Sequence, residues 1–252
     1  MPPTSQNDPK EPPPQDADGR TSSQLCGLVV DWGGVLTAPL DAAMTRWARS
    51  DGISYEHFRD VMRRWVGVRP EPGQEGAFTV AEAAPAAGPG AGSPVHRLER
   101  GEIPPEQFEQ QLAAELASLG SRVPADGLLR RMLGGLDELD FEMVAMLRRA
   151  RASGLRIALL SNSWGDHYPE QVRDGLFDAV VISGRVGMRK PEARIYQHTA
   201  DLLGLPAEQC VMVDDLPHNI TGAVEVGMVG VLHDSYDHTV LELEALFDRP
   251  LR

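Results

Sequence analysis

The sequence predicts an α/β fold: a doubly wound parallel sheet carrying an inserted helical segment. Three observations predict it. Short, continuously apolar runs end at polar residues: LCGLVV before Asp31, RIALLS before Asn162, AVVIS ending at Ser183, CVMV before Asp214 and MVGVL ending at Leu232. Unbroken apolarity, rather than alternation, marks strands buried on both faces. Helical patterns lie between the later runs, and strands alternating with helices build a parallel sheet. The stretch from Asp41 to Asp140 breaks this rhythm, with apolar residues at helical spacing.

Residues 1–23 are rich in Pro, Asp, Gln and Ser and too poor in apolar side chains to offset the entropy of ordering, so they read as a disordered tail. Residues 24–40 and 141–252 form the expected core. Within the insert, residues 41–140, one helical face is marked by Phe58, Val61, Met62 and Trp65 and another by Phe108, Leu112, Leu116 and Leu119. Between them residues 70–94 are dominated by Ala, Gly and Pro and read as a flexible loop. Phe141 to Arg151 then return the chain to the core as a helix. Further helices are expected around Ile195, Leu202 and Leu203, and from Asn219 to Val226 with a stop at Gly227.

The 252 residues suffice for a large buried core with a smaller module. A formal net charge of −13 opposes broad attraction to nucleic acid or anionic membranes and favours a small-molecule partner. The only cysteines, Cys26 and Cys210, belong to no CxxC or Cys/His cluster, which argues against zinc and a disulfide framework and for a reducing compartment. With neither an apolar leader nor a run long enough to span a bilayer, the expected location is cytoplasmic.

Scarcity is itself a signal in this chain. Of 24 basic side chains only Lys10 and Lys190 are lysines, and Asn occurs only at positions 7, 162 and 219. Where composition suppresses a residue type, survivors outside the tail become candidates for a specific task. Lys190 precedes Pro191 at a helix start, where an ammonium could neutralise phosphate or lie in solvent. Asn219 follows the Asp pair and could cap a helix or brace carboxylates.

In a doubly wound sheet ligands bind beyond the carboxyl ends of the strands, which singles out Asp31, Ser161 and Asp214. Asp31 beside Gly33 and Gly34 could be a nucleophile, a hard-metal ligand or a turn residue. Ser161 and Asn162 could hold phosphate oxygens or form a simple turn. Asp214 and Asp215 are adjacent carboxylates that repel unless a cation compensates, as Mg²⁺ would. Trp164, Asp166 and His167 lie just beyond Ser161 and could face a substrate, serve in proton transfer, or be ordinary packing or surface residues.

Taken in order, LVVDWGGVLT, LLSNSW, GMRKPEARIY and VMVDDLPHNITGA resemble the four motifs of the haloacid dehalogenase-like (HAD) hydrolase superfamily. SNSWGD, RKPEARIY, DDLPHN and the insert phrase LERGEIPPEQF are most similar to the branch that includes the phosphatase domain of soluble epoxide hydrolase. The resemblance implies a Mg²⁺-dependent phosphatase with a helical cap over the site, acting on a small phosphorylated metabolite such as a sugar phosphate. It implies Asp31 as nucleophile, an aspartyl-phosphate intermediate, Ser161, Asn162 and Lys190 at the phosphate, and Asp31, Asp214, Asp215 and the Gly33 carbonyl at the metal. One departure stands out: the superfamily's phosphatases usually place an acid/base Asp two positions after the nucleophile, where this chain has Gly33. That departure motivates an alternative, a catalytically weak HAD fold that binds phosphometabolites or a protein. Dehalogenation by the same Asp is a third reading, which the Asp214–Asp215 pair disfavours.

Overall fold

A computed structural model describes residues 24–66, 68–70, 78–80, 92–134, 138–164, 168 and 175–252. The expected tail, most of the expected loop at 70–94, and Asp166 and His167 lie outside the described residues. Five strands form one parallel sheet: β1 (Gly27–Val30), β4 (Arg156–Ser161), β5 (Ala179–Ile182), β6 (Cys210–Asp214) and β7 (Val229–Leu232), in the order β5-β4-β1-β6-β7. The central strand β1 pairs with β4 and β6, Val30 lying opposite Leu159 and Val213.

Both faces of this sheet are covered, which is why its strands are apolar without alternation. Leu28 and Val30 pack with α6 (Phe141–Ala152) and α10 (Tyr236–Phe247) through Met143, Leu147, Val240 and Leu243. Val29, pointing the other way, packs with α8 (Ala193–Leu203) and α9 (Pro217–Glu225) through Ile195, Tyr196, Leu203 and Ala223. The Asp140 side chain caps α6 by accepting from the N–H groups of Glu142 and Met143, each at 2.9 Å. Two expectations need correction. Leu202 is 52% exposed, because the buried stripe of α8 runs through Ile195, Tyr196, Thr199, Ala200 and Leu203. Ser183 does not end β5 but opens the short helix α7 (Ser183–Val186).

The insert folds on a core of its own. Helices α1 (Leu40–Ser50), α2 (Tyr55–Val66), α3 (Pro94–Glu99), α4 (Pro105–Ser118) and α5 (Leu128–Leu133) gather Trp47, Phe58, Phe108, Leu112, Leu116 and Met132. Of the two expected faces, Phe58, Val61, Phe108, Leu112 and Leu116 are buried, while Met62, Trp65 and Leu119 pack partly buried against the cluster. In the stretch expected to be a loop, β3 (Phe78–Val80) pairs antiparallel with β2 (Val68–Pro70). The insert meets the core where α3 ends. Gly101 has φ +69°, and a Cβ there would lie 2.5 Å from the Gly184 carbonyl oxygen, so only glycine permits this approach.

Candidate active site

Because the strands are parallel, their carboxyl ends share one rim. Asp31 follows β1, Ser161 ends β4 and Asp214 ends β6. Lys190, from the loop before α8, reaches the same point: its Nζ lies 2.8 Å from Asp31 Oδ1 and 2.6 Å from Asp214 Oδ2. This lysine is fully buried. Asp31 Oδ1 also accepts from the Trp32 N–H at 2.7 Å. Asp214 Oδ1 accepts from the Leu216 N–H and from Asn219 Nδ2, both at 2.9 Å. Asn219 therefore braces a carboxylate, and its amide orientation is set by that acceptor. Its Oδ1 is buried without a hydrogen-bond partner.

Oxygens of Asp31, Asp214 and Asp215 lie within 4.8 Å of one another. Gly34 makes room for the third: at φ +74° it tolerates the turn, and a Cβ would fall 2.3 Å from Asp215 Oδ2. Three carboxylates face one ammonium, an excess of negative charge that shows in the titration. Burial pushes Asp31 up against the pull of Lys190, and Asp214 and Asp215 add to the rise, to about 7. Burial and then Asp214 raise Asp215 to about 6 against Lys190. Lys190 moves the other way: burial opposes its charge, but Asp214 and Asp31 hold its pKa above the ordinary lysine value.

Ser161 Oγ accepts from the Tyr168 hydroxyl at 2.9 Å, which keeps its own proton available to another acceptor. The Asn162 side chain clasps the main chain of Lys190 at both ends. Its Oδ1 accepts from the lysine N–H at 2.8 Å and its Nδ2 donates to the lysine carbonyl at 3.1 Å. The Asn162 side chain is thus engaged in holding the lysine, while the Ser161 hydroxyl and the main chain beside it, the groups expected at phosphate, line the cavity. Trp164 spans core and insert: Nε1 donates to Glu99 Oε1 at 3.0 Å, and the ring lies 5.6 Å from Phe108.

A cavity of about 240 Å³ opens over Asp31, Gly33, Ser161, Asn162, Asp215 and Asn219. Its remaining wall includes Trp32, His96, Glu99, Tyr168, Arg189 and His218, which sequence reasoning did not single out. Arg189 and His218 stand inside the quoted motifs and Glu99 inside the insert phrase, so neighbourhood was the available signal. Arg189 Nε donates to Glu99 Oε2 at 2.5 Å, and Arg100 Nε to Glu192 Oε1 at 2.7 Å, joining insert to core along one side of the cavity.

This rim of Asp, Ser, Lys and paired Asp beneath a helical insert defines a hydrolase class. The chain belongs to the haloacid dehalogenase-like hydrolase family, whose model matches residues 27–227. Among curated relatives it is 32% identical over 156 residues to the sesquiterpene phosphatase astK of Aspergillus oryzae, covering 60% of this chain and 77% of that one. It is 31% identical over 170 residues to acyl-CoA dehydrogenase family member 10 of Mus musculus, covering 64% of this chain but only 16% of that much longer protein. Among solved structures, a predicted HAD-like family hydrolase from Porphyromonas gingivalis shares the fold with TM-score 0.60 and 18% identity, covering 90% of this chain and 99% of that one.

Proposed function

We propose that this chain is a Mg²⁺-dependent phosphoric monoester hydrolase working through an aspartyl-phosphate on Asp31. The observation that carries this reading is the buried ammonium of Lys190 bridging Asp31 and Asp214 beside Asp215. So many buried carboxylates with one ammonium call for a further cation. Mg²⁺ suits the donor set, since it takes hard oxygen ligands and keeps part of its hydration shell, for which the unpartnered Asn219 Oδ1 is an acceptor. Asp31, Asp214, Asp215 and the Gly33 carbonyl would hold it. When bound, the ion supplies charge stabilisation to the phosphoryl oxygens.

In the first step Asp31 attacks phosphorus in line, forming a new P–O bond as the ester P–O bond breaks. Lys190 offsets charge on the transferring group, and the Ser161 hydroxyl donates to one of its oxygens. Asn162 positions the lysine through its main chain. Water then attacks the acyl phosphate, releasing inorganic phosphate and restoring Asp31. Gly33 supplies no proton to the leaving oxygen. Asp166 and His167 are the nearest substitutes in sequence. Of the described cavity imidazoles, burial lowers both pKa values, His96 to about 4, so at neutral pH neither holds the imidazolium proton that a general acid would give. Good leaving groups, such as anomeric or acyl phosphates, are therefore preferred; equal rates on poor and good ones would overturn that preference.

The name of the sesquiterpene phosphatase supports the reaction class. The motif phrases support the branch of the soluble epoxide hydrolase phosphatase domain. A small phosphorylated metabolite is the partner, and a sugar phosphate satisfies the phosphate end of the site. The net charge of −13 supports a cytoplasmic role away from nucleic acid and membranes; no helix among the described residues is long and apolar enough to cross a membrane. Gly33 also favours a second reading, a catalytically weak phosphometabolite-binding module. A phosphate-release panel with and without Mg²⁺ separates the two. The expected result is metal-dependent release that falls on the order of 10⁴-fold or more in Asp31→Asn. Binding without release across the panel would establish the second reading, and halide release surviving a chelator would favour dehalogenation.

A further inference from the structure

We infer that the organic group of the substrate is an apolar ring, bare or with a short chain, making the ligand an aryl phosphomonoester rather than a polyhydroxylated one. The inference rests on the phosphatase reading and concerns the part of the ligand beyond the phosphate. The cavity has two unlike ends. Its floor is the polar rim of Asp31, Ser161 and Asp215. Away from the floor most of the wall is apolar: Trp32 and Leu216 from the core, Trp164 from the loop after β4, and Leu40, Val66 and Val95 from the insert.

Two of these side chains stand out in the fold. Leu40 and Leu216 are 39% and 40% exposed, large apolar groups left in water at the cavity. Each gains burial when an apolar group enters between core and insert, and gains nothing from a hydrated one.

Of the polar side chains that share the wall, Glu99 and Tyr168 are already engaged, and Arg189 is held to Glu99 through its Nε. Glu99 accepts from Arg189 and from Trp164, and the Tyr168 hydroxyl donates to Ser161. His96 and His218 remain as the described neutral groups on the wall. A sugar would bring several hydroxyls into this space, and each one desolvated without a partner weakens binding. An apolar group meets no such penalty. For size, a dry cavity of about 150 Å³ takes benzene. The 240 Å³ here must also hold the phosphate over its polar floor, which leaves space for about one ring and little more.

The test is a series of 4-alkylphenyl phosphates, from methyl to pentyl, assayed with Mg²⁺ beside glucose 1-phosphate and glucose 6-phosphate. The phenol leaving group changes little along the series, so the trend reports the wall and not the chemistry. The expected result is a rise in kcat/KM of about threefold to fourfold per methylene until the cavity is filled. The double variant Leu40→Asp/Leu216→Asp is expected to flatten that slope. A flat or falling slope, or a preference for the sugar phosphates, overturns the inference while Mg²⁺-dependent release sensitive to Asp31→Asn keeps the phosphatase reading. If no phosphate is released from any compound, the phosphatase reading falls, and binding to Asp31→Asn by quenching of Trp32 and Trp164 decides the ligand class. Affinity that rises with chain length supports an apolar ligand, and affinity independent of it overturns the proposal.

Discussion

Two buried ionic clusters lie on either side of Lys190, and they are built on opposite principles. At the strand rim Asp31, Asp214 and Asp215 share one ammonium, so negative charge is left over. At the seam between core and insert, Glu99 pairs with Arg189 and Glu192 with Arg100, so charge is balanced. A balanced pair needs nothing from outside and fastens two parts of the fold. An unbalanced one is where the proposed cation would sit. The difference predicts that damage to the first cluster is sensed by metal and substrate, and damage to the second as a loss of stability that metal does not restore.

The largest effect is expected from Lys190→Met, which leaves the carboxylates without any cation. Turnover should fall on the order of 10³-fold. Urea unfolding should show a loss of about 3–5 kcal/mol without divalent metal, partly restored by Mg²⁺. Gly33→Asp pushes the imbalance further and adds the missing acid. A Cβ at Gly33 meets nothing within 4 Å, so the fold should accept it. Hydrolysis of poor leaving groups should then rise by about 10²-fold, and an unchanged ratio of poor to good leaving groups would remove Gly33 as the cause of the preference.

At the seam, Glu99→Gln should cost about 1–3 kcal/mol in urea unfolding, with no recovery on adding Mg²⁺. Recovery there would erase the distinction between the clusters. The smallest effect is in acid. Burial raises the Glu192 carboxyl, but hydrogen bonds and charge from Arg100 and Arg194 together hold it below its ordinary value. A depressed carboxyl contributes stability that is present above its unfolded value of 4.5 and lost as pH falls through the folded value. Arg100→Ala should therefore narrow the stability gap between pH 6 and pH 3 in thermal melts.

The core and the rim were legible because both follow from local rules. Strands covered on two faces must be apolar throughout, and each ends at the residue that faces the site. Lys190, Asn162 and Asn219 were legible from scarcity: in a chain that otherwise uses arginine, the lysine outside the tail is fully buried between two aspartates. The seam was not legible. Glu99 and Arg189 are 90 residues apart, and a pair across that separation leaves no spacing to read. Trp32 carried no signal of its own, and its ring serves both as cavity wall and as partner of Tyr168, 5.2 Å away. Leu202 and Leu203 share the helical pattern, but consecutive residues lie about 100° apart around a helix, so only Leu203 reaches the buried stripe.

Arg189 and Lys190 are consecutive residues, one joined to the insert through Glu99 and the other to Asp31 and Asp214. A single peptide unit is thus the mechanical link between the roof of the cavity and its floor. Asn162 grips the lysine on both its N–H and its carbonyl, so the lysine end of that link is anchored and the arginine end carries the load. A shift of the roof would meet the guanidinium first, while the lysine main chain stays clasped by Asn162 and its ammonium stays between Asp31 and Asp214.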